Sequence, residues 1–295
     1  MWAMQPRFER DIQAFMERAA ELGFDAVEIN HSMDAQMAGV ILAGRVLPVL
    51  SVHAPAPLEQ HPSAGWNRDL NLASTEEDER ALAVRYTQRS IDLAAEAGAP
   101  FVVVHIGHVG HTLDGERRLR ELWPRRDLLA EEYARTVDAT VRERAGLAPP
   151  HLEAARRSLA ELVAYAEPKG VALGLESMQP YHQLPLPHEA ADLLASYPPA
   201  AAGYWHDVGH CQVEHALGLV DLGAWFDLLG DRVLGVHLQD VRALIDHRAP
   251  GTGDVDFRWL AEQLPAGAAR TLEVDQHEPD ETLVSALDVL RAAGM

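Results

Sequence analysis

The chain has 295 residues, with 45 Asp and Glu against 25 Lys and Arg, for a formal charge of −20. Nucleic-acid binders take most of their affinity from neutralised phosphates, so this balance disfavours a polyanionic partner. A hydrophobic fraction of 47% supports a sizeable core, no apolar run reaches the roughly 18 residues of a membrane span, and the single cysteine, Cys211, excludes an intramolecular disulfide.

The N-terminus lacks the basic start and apolar stretch of a secretory signal, which with the lone cysteine points to the cytoplasm. Phe8–Leu22 has helical periodicity and stops at Gly23, and Phe24–Asn30 follows as a strand. Thr75–Ala97 reads as a long helix, with Ser74 or Thr75 as N-cap, acids in its first turn and Gly98 at its end. Phe101–His105 is a β-branched, nearly all-apolar run, as a strand buried on both faces requires. The segment 108–150 is too long for an ordinary loop and is expected to be an inserted helical excursion, a lid or a contact between copies in a homo-oligomer. Within it, Asp114–Arg144 carries eight Arg against eight Asp or Glu, the mixture of a solvated helix face. His151–Tyr165 reads as a helix, Val171–Glu176 as a strand and Glu189–Ser196 as a helix. Ala202–Asp207, Val233–Leu238 and Arg270–Val274 complete the strands, and Leu283–Ala293 closes the chain as a helix.

This alternation predicts an α/β fold, a (β/α)₈ barrel built as one domain over residues 1–295. Seven strands are clear. The first strand is short or missing, because only Trp2–Gln5 precedes the first helix.

Six apolar runs end in a residue able to grip a metal: Leu47–Val52 on His53, Phe101–Val104 on His105, Val171–Leu175 on Glu176, Ala202–His206 on Asp207, Val233–Val236 on His237 and Thr271–Leu272 on Glu273. In a parallel barrel the carboxyl ends of the strands share one rim, where chemistry sits. Glu176, Asp207, His237 and Glu273 form a mixed oxygen and nitrogen set suited to Mn²⁺, Co²⁺, Mg²⁺ or Zn²⁺. An arginine partner is the bland alternative for such buried carboxylates. His53 and His105 either hold a second ion with Glu176 bridging or bind a substrate hydroxyl. His210 with His247 either completes a third ion site or binds substrate. Asp240 is expected to orient an imidazole or Arg242, and Glu28 to pair with a nearby cation. Trp205 and Tyr204 read as strand-flank packing. His31, His182 and the histidines of other loops are expected to be solvated. The glycines of Asp246–Phe257 allow backbone to approach a ligand, but no Gly-Lys-Ser/Thr follows, so this is no phosphate loop and no organic cofactor is expected. The only lysine, Lys169, lies at the end of its strand away from the rim, which disfavours a Schiff-base mechanism.

At these residues the chain resembles the xylose-isomerase-like barrel superfamily, which includes sugar isomerases and epimerases and the apurinic endonuclease IV family. The landmarks run from about Phe8 to Val289: Gly23-Phe24-Asp25-Ala26-Val27-Glu28, His53-Ala54-Pro55, Asn71-Leu72-Ala73-Ser74, Val104-His105-Ile106-Gly107, Leu175-Glu176, Asp207-Val208-Gly209-His210, Val236-His237-Leu238-Gln239-Asp240, and His247 with Pro250-Gly251-Thr252-Gly253-Asp254-Val255-Asp256. The epimerase branch implies one divalent metal on Glu176, Asp207, His237 and Glu273. The endonuclease branch implies three zinc ions, adding His53, His105, His210, His247 and an aspartate two residues before His247. That position is Ile245 here, and the adjacent Asp246 is expected to point elsewhere. The leading expectation is a sugar isomerase or epimerase with Glu176 and Glu273 as catalytic acid and base. The alternative is a zinc phosphodiesterase, and a third reading is a metal-stabilised binding protein.

Overall fold

The computed structural model describes residues 1–295. Its strands are β1 (Val27–Ile29), β2 (Val49–His53), β3 (Gln60–His61), β4 (Gly65–Trp66), β5 (Phe101–Val104), β6 (Ala172–Glu176), β7 (Ala202–Asp207), β8 (Val233–Leu238), β9 (Asp240–Arg242), β10 (Ile245–Arg248) and β11 (Ala269–Leu272). Seven of them form one parallel sheet in the order β1-β2-β5-β6-β7-β8-β11, and the remaining four make two short antiparallel hairpins above it. Ten α-helices accompany the sheet. Strands β6 and β7 are buried at every residue, which explains why they read as continuous apolar runs rather than alternating ones.

The curved sheet does not close. No pairing joins β1 to β11. Where an eighth strand would lie, Trp2–Met4 makes a 3₁₀ turn, anchored by Trp2 Nε1 donating to the Glu278 carbonyl at 2.9 Å. Behind the seam lies a cavity of about 540 Å³ with largely hydrophobic walls, among them Trp2, Phe15, Met33, Leu283 and Leu290.

The excursion after β5 is helical at Asp114–Leu122 and again at Ala130–Ala166, a helix of 37 residues. The latter absorbs the expected His151–Tyr165 helix and runs through Pro149 and Pro150, where the sequence suggests a break. Proline removes a backbone donor and crowds the carbonyl four residues earlier; here those positions are the small Ala145 and Gly146. Tertiary contacts hold the turn before them. Arg144 is buried, pairs with Glu189 at 2.6 Å, and donates to the carbonyls of Tyr181 and Gln183 in the loop after β6.

Candidate metal centre

The parallel register decides which strand ends meet. Asp207 is the partner of His237 across β7 and β8, Thr271 pairs with His237 across β8 and β11, and Glu176 pairs with Trp205, two residues before Asp207. These side chains therefore converge at one end of the barrel. His237 Nδ1 lies 2.7 Å from Glu176, 3.2 Å from Glu273 and 3.7 Å from Asp207. The four ligand atoms all lie within 4.8 Å of one another, and all four residues are buried. No arginine pairs with Glu176, Asp207 or Glu273; their charged neighbours are imidazoles.

A second group shares Glu176. His105 Nε2 and His53 Nε2 approach Glu176 Oε2 at 2.8 and 3.1 Å, yet that oxygen is buried without a hydrogen bond. His237 Nδ1 is within hydrogen-bond distance of Glu176 Oε1 at 2.7 Å, while the His53 and His105 nitrogens and Glu176 Oε2 aim at shared space. Buried polar groups are normally satisfied, so an orphaned oxygen among nitrogen ligands fits a cation, and a donor set of histidine and carboxylate fits a divalent one.

The electrostatics are those of ligands crowded out of water. Burial alone would raise Glu176, but His237, His53 and His105 outweigh it and hold its carboxyl well below the usual range. Burial would likewise raise Glu273, and His237 with His247 hold it low. Asp207 goes the other way: burial pushes it up to about 6. For His237, burial is overcome by Glu28, Glu273 and Glu176, which keep the ring charged well above its ordinary range.

Local structure aims the remaining residues. Asp207 caps the helix Val208–Ala216 by accepting from His210 N at 2.7 Å, and this helix start returns His210 to the rim. Gln239 links the groups. Its amide donates to Asp207 at 2.7 Å, and its oxygen accepts from the His247 backbone at 2.5 Å. A Cβ on Gly209 would sit 2.2 Å from that oxygen, so only glycine admits the link.

His210, Asp246 and His247 form a third group of ligand atoms within 4.8 Å. Asp246 therefore points into the site, against the sequence expectation, while Ile245 is exposed. The reason is an irregular hairpin. Ala243, Leu244 and His247 have positive φ, 54° at His247, and the β9–β10 register shifts between Ile245 and Arg248. Simple strand alternation does not apply there, and Asp246 and His247 both reach inward. His247, raised to about 9 against the effect of burial, is held by Asp246 and Glu273.

Other expectations change. Asp240 orients neither an imidazole nor Arg242; it accepts backbone N–H groups of Val241, Gly251, Gly253 and Val255 and so shapes the glycine-rich loop. His31, expected in solvent, packs its ring 4.8 Å from His53, with Nδ1 buried and unpartnered. Burial, then His53 and His105, keep it well below the ordinary range for histidine. Its signal was faint, because it lies two residues beyond the last residue of β1, outside any apolar run. His182 is also buried. Trp205 does not flank a strand but fills the barrel interior beneath His237, with ring centroids 5.4 Å apart.

Residues 16–293 match the family model described as the xylose isomerase-like TIM barrel. The fructoselysine 3-epimerase of Shigella flexneri is 24% identical over 258 residues, 83% of this chain and 78% of that protein. Among solved structures, a D-tagatose 3-epimerase-like protein superposes with a TM-score of 0.68 at 21% identity, covering 97% of each chain. The D-psicose 3-epimerase of Clostridium cellulolyticum H10 superposes with a TM-score of 0.67 at 16% identity, covering 99% of this chain and 97% of its own. No helix is long and apolar enough to cross a membrane. With the family model spanning nearly its whole length, the chain belongs to the xylose isomerase-like TIM-barrel family.

Proposed function

We propose that the protein is a divalent-metal-dependent epimerase or isomerase of a ketose or closely related sugar, working in the cytoplasm. One observation carries the reading: Glu176 and Glu273 reach His237 from strands on opposite sides of β8. Two carboxylates so placed can address one carbon from two directions. That the similar proteins include fructoselysine, tagatose-type and psicose 3-epimerases supports the same chemistry.

An ion held by Glu176, Asp207, His237 and Glu273 supplies positive charge beside a ketose carbonyl and its neighbouring hydroxyl, which acidifies the C–H between them. One of Glu176 and Glu273 takes the proton from that carbon on one face, leaving an enediolate of the sugar, and the other, carrying a proton of its own, gives it to the carbon from the opposite face. The histidines around both carboxyls hold them low, which keeps the one acting as base ionised; the one acting as acid takes up its proton before it donates. His210 and His247 orient substrate oxygens, and the helical excursion over 108–150 acts as a lid or as a contact between copies. The test is proton exchange in D₂O with Mn²⁺ and candidate ketoses. Deuterium is expected at the carbon beside the carbonyl, and Glu273→Gln is expected to abolish it. Metal-loaded protein that labels no ketose counts against the reading.

A zinc phosphodiesterase is the second reading, favoured by His53 and His105 on Glu176 and by the His210, Asp246, His247 group. The charge of −20 opposes it. About three zinc ions per chain together with cleavage of abasic DNA would reverse the order of the two.

A further inference from the structure

One largely buried carboxylate beside the ligand cluster holds no place in it. Glu28 lies on β1, the edge strand of the open seam, and it belongs to none of the three ligand groups. Its carboxylate accepts from Ser51 Oγ at 2.6 Å, and Ser51 is its register partner on β2. Both of its oxygens lie 3.2 Å from His237 Nε2. The His237 ring is wholly buried, with Glu176, Asp207 and Glu273 around Nδ1 and Glu28 at Nε2. The pair also ties the β1 edge to β8 across the gap left by the absent strand.

We propose that Glu28 is a positioning residue that assigns the two nitrogens of His237: it holds the proton on Nε2 and so presents the Nδ1 lone pair to a cation among Glu176, Asp207 and Glu273. A neutral imidazole has one N–H and one lone pair, and which nitrogen carries which follows from the hydrogen bond the other makes. Without a cation Nδ1 lies within hydrogen-bond distance of Glu176 at 2.7 Å; a cation in that space displaces any proton on Nδ1, and Glu28, which only accepts, holds the proton that stays on Nε2. Ser51 occupies one Glu28 oxygen and keeps the carboxylate from rotating away. The remaining nitrogen then faces three carboxylates, an arrangement that a cation satisfies and that a proton on Nδ1 would block. Carboxylates of this kind also raise the basicity of the ligating nitrogen, and their loss weakens metal binding by about 10- to 100-fold.

The inference rests on the metal-centre reading, and the experiment separates the two. Co²⁺ and Zn²⁺ affinities are measured by calorimetry, and the visible spectrum of the Co²⁺ protein is recorded, for the full chain and for Glu28→Ala, Glu28→Gln and Ser51→Ala. Glu28→Ala is expected to bind about 10- to 100-fold more weakly with an altered Co²⁺ spectrum, and Glu28→Gln, which keeps an acceptor, to recover part of the loss. Affinity within about threefold of the parent in Glu28→Ala, with the spectrum unchanged, overturns the role of Glu28 and leaves the metal centre standing. A parent chain that binds neither ion overturns the metal centre itself. Should Glu28→Ala not fold, the ring ¹⁵N–¹H spectrum of the zinc-loaded parent decides. A proton on Nε2 of His237 supports the assignment, and one on Nδ1 overturns it.

Discussion

Two stretches of the barrel wall are built on different terms. From β5 to β8 each strand is paired on both sides, and at Trp205 a large side chain lies hard against neighbouring backbone. Trp205, fully buried in β7, lies against Gly235 of β8 and Gly174 of β6: a Cβ on Gly235 would sit 2.4 Å from the indole, and one on Gly174 at 2.9 Å. At the seam, β1 and β11 each have one partner, and apolar side chains around a cavity of about 540 Å³ stand where a strand would be. The ligand group with the most carboxylates comes from the tight stretch and its β11 border, while β1 contributes only Glu28, which reaches the site through His237. Backbone pairing sets positions to fractions of an ångström, and side-chain packing around a void does not.

The largest test of that contrast is Trp205→Ala. Truncating a buried aromatic in a closed wall costs about 3–5 kcal/mol, and it also removes the floor beneath His237. Denaturant unfolding is expected to show that loss, with Phe15→Ala at the seam costing roughly half as much because its cavity already exists. Equal losses would erase the distinction.

The same contrast applies to added volume. Ala202→Leu in β7 is expected to cost about 1–3 kcal/mol through overpacking. Ala19→Leu, which points new methylenes at the seam cavity, is expected to gain up to about 1 kcal/mol. Thermal melts of the two variants check this, and a loss at Ala19 would mean that the seam is as rigid as the rest.

A smaller effect concerns pH. On the closed side, burial traps Glu214 on the helix Val208–Ala216 with both carboxylate oxygens unpartnered. Burial, and then the neighbouring Glu116, push its carboxyl well above the ordinary range, although Arg120 and Arg144 partly offset this. A group raised in the folded state contributes stability that is full below its unfolded value and is lost as pH rises through the folded one. Glu214→Gln is therefore expected to match the parent near pH 4 and to exceed it by several degrees in Tm near pH 8. A constant difference across that range would show that Glu214 finds a partner in solution.

Much of this was readable one residue at a time. An apolar run ending in His, Asp or Glu announces a buried strand that delivers a ligand to a rim, and Glu176, Asp207, His237 and Glu273 follow that rule. Asp246 and His31 do not, because one lies in a hairpin with left-handed residues and the other beyond a strand's end. Helix ends were legible where a glycine stops the chain, as at Gly98, and illegible at Pro149, where Arg144 and Glu189 outweigh local preference.

The chain on its own determined the alternation of strands and helices and the ligand-bearing strand ends, because period and residue type act over a few neighbours. Only the tertiary structure decided that the sheet stays open between β1 and β11, that His31 packs on His53, that Asp246 joins His210 and His247, and that Glu28 meets His237 from 209 residues away. Those outcomes depend on register between distant strands and on backbone conformations that no local pattern specifies.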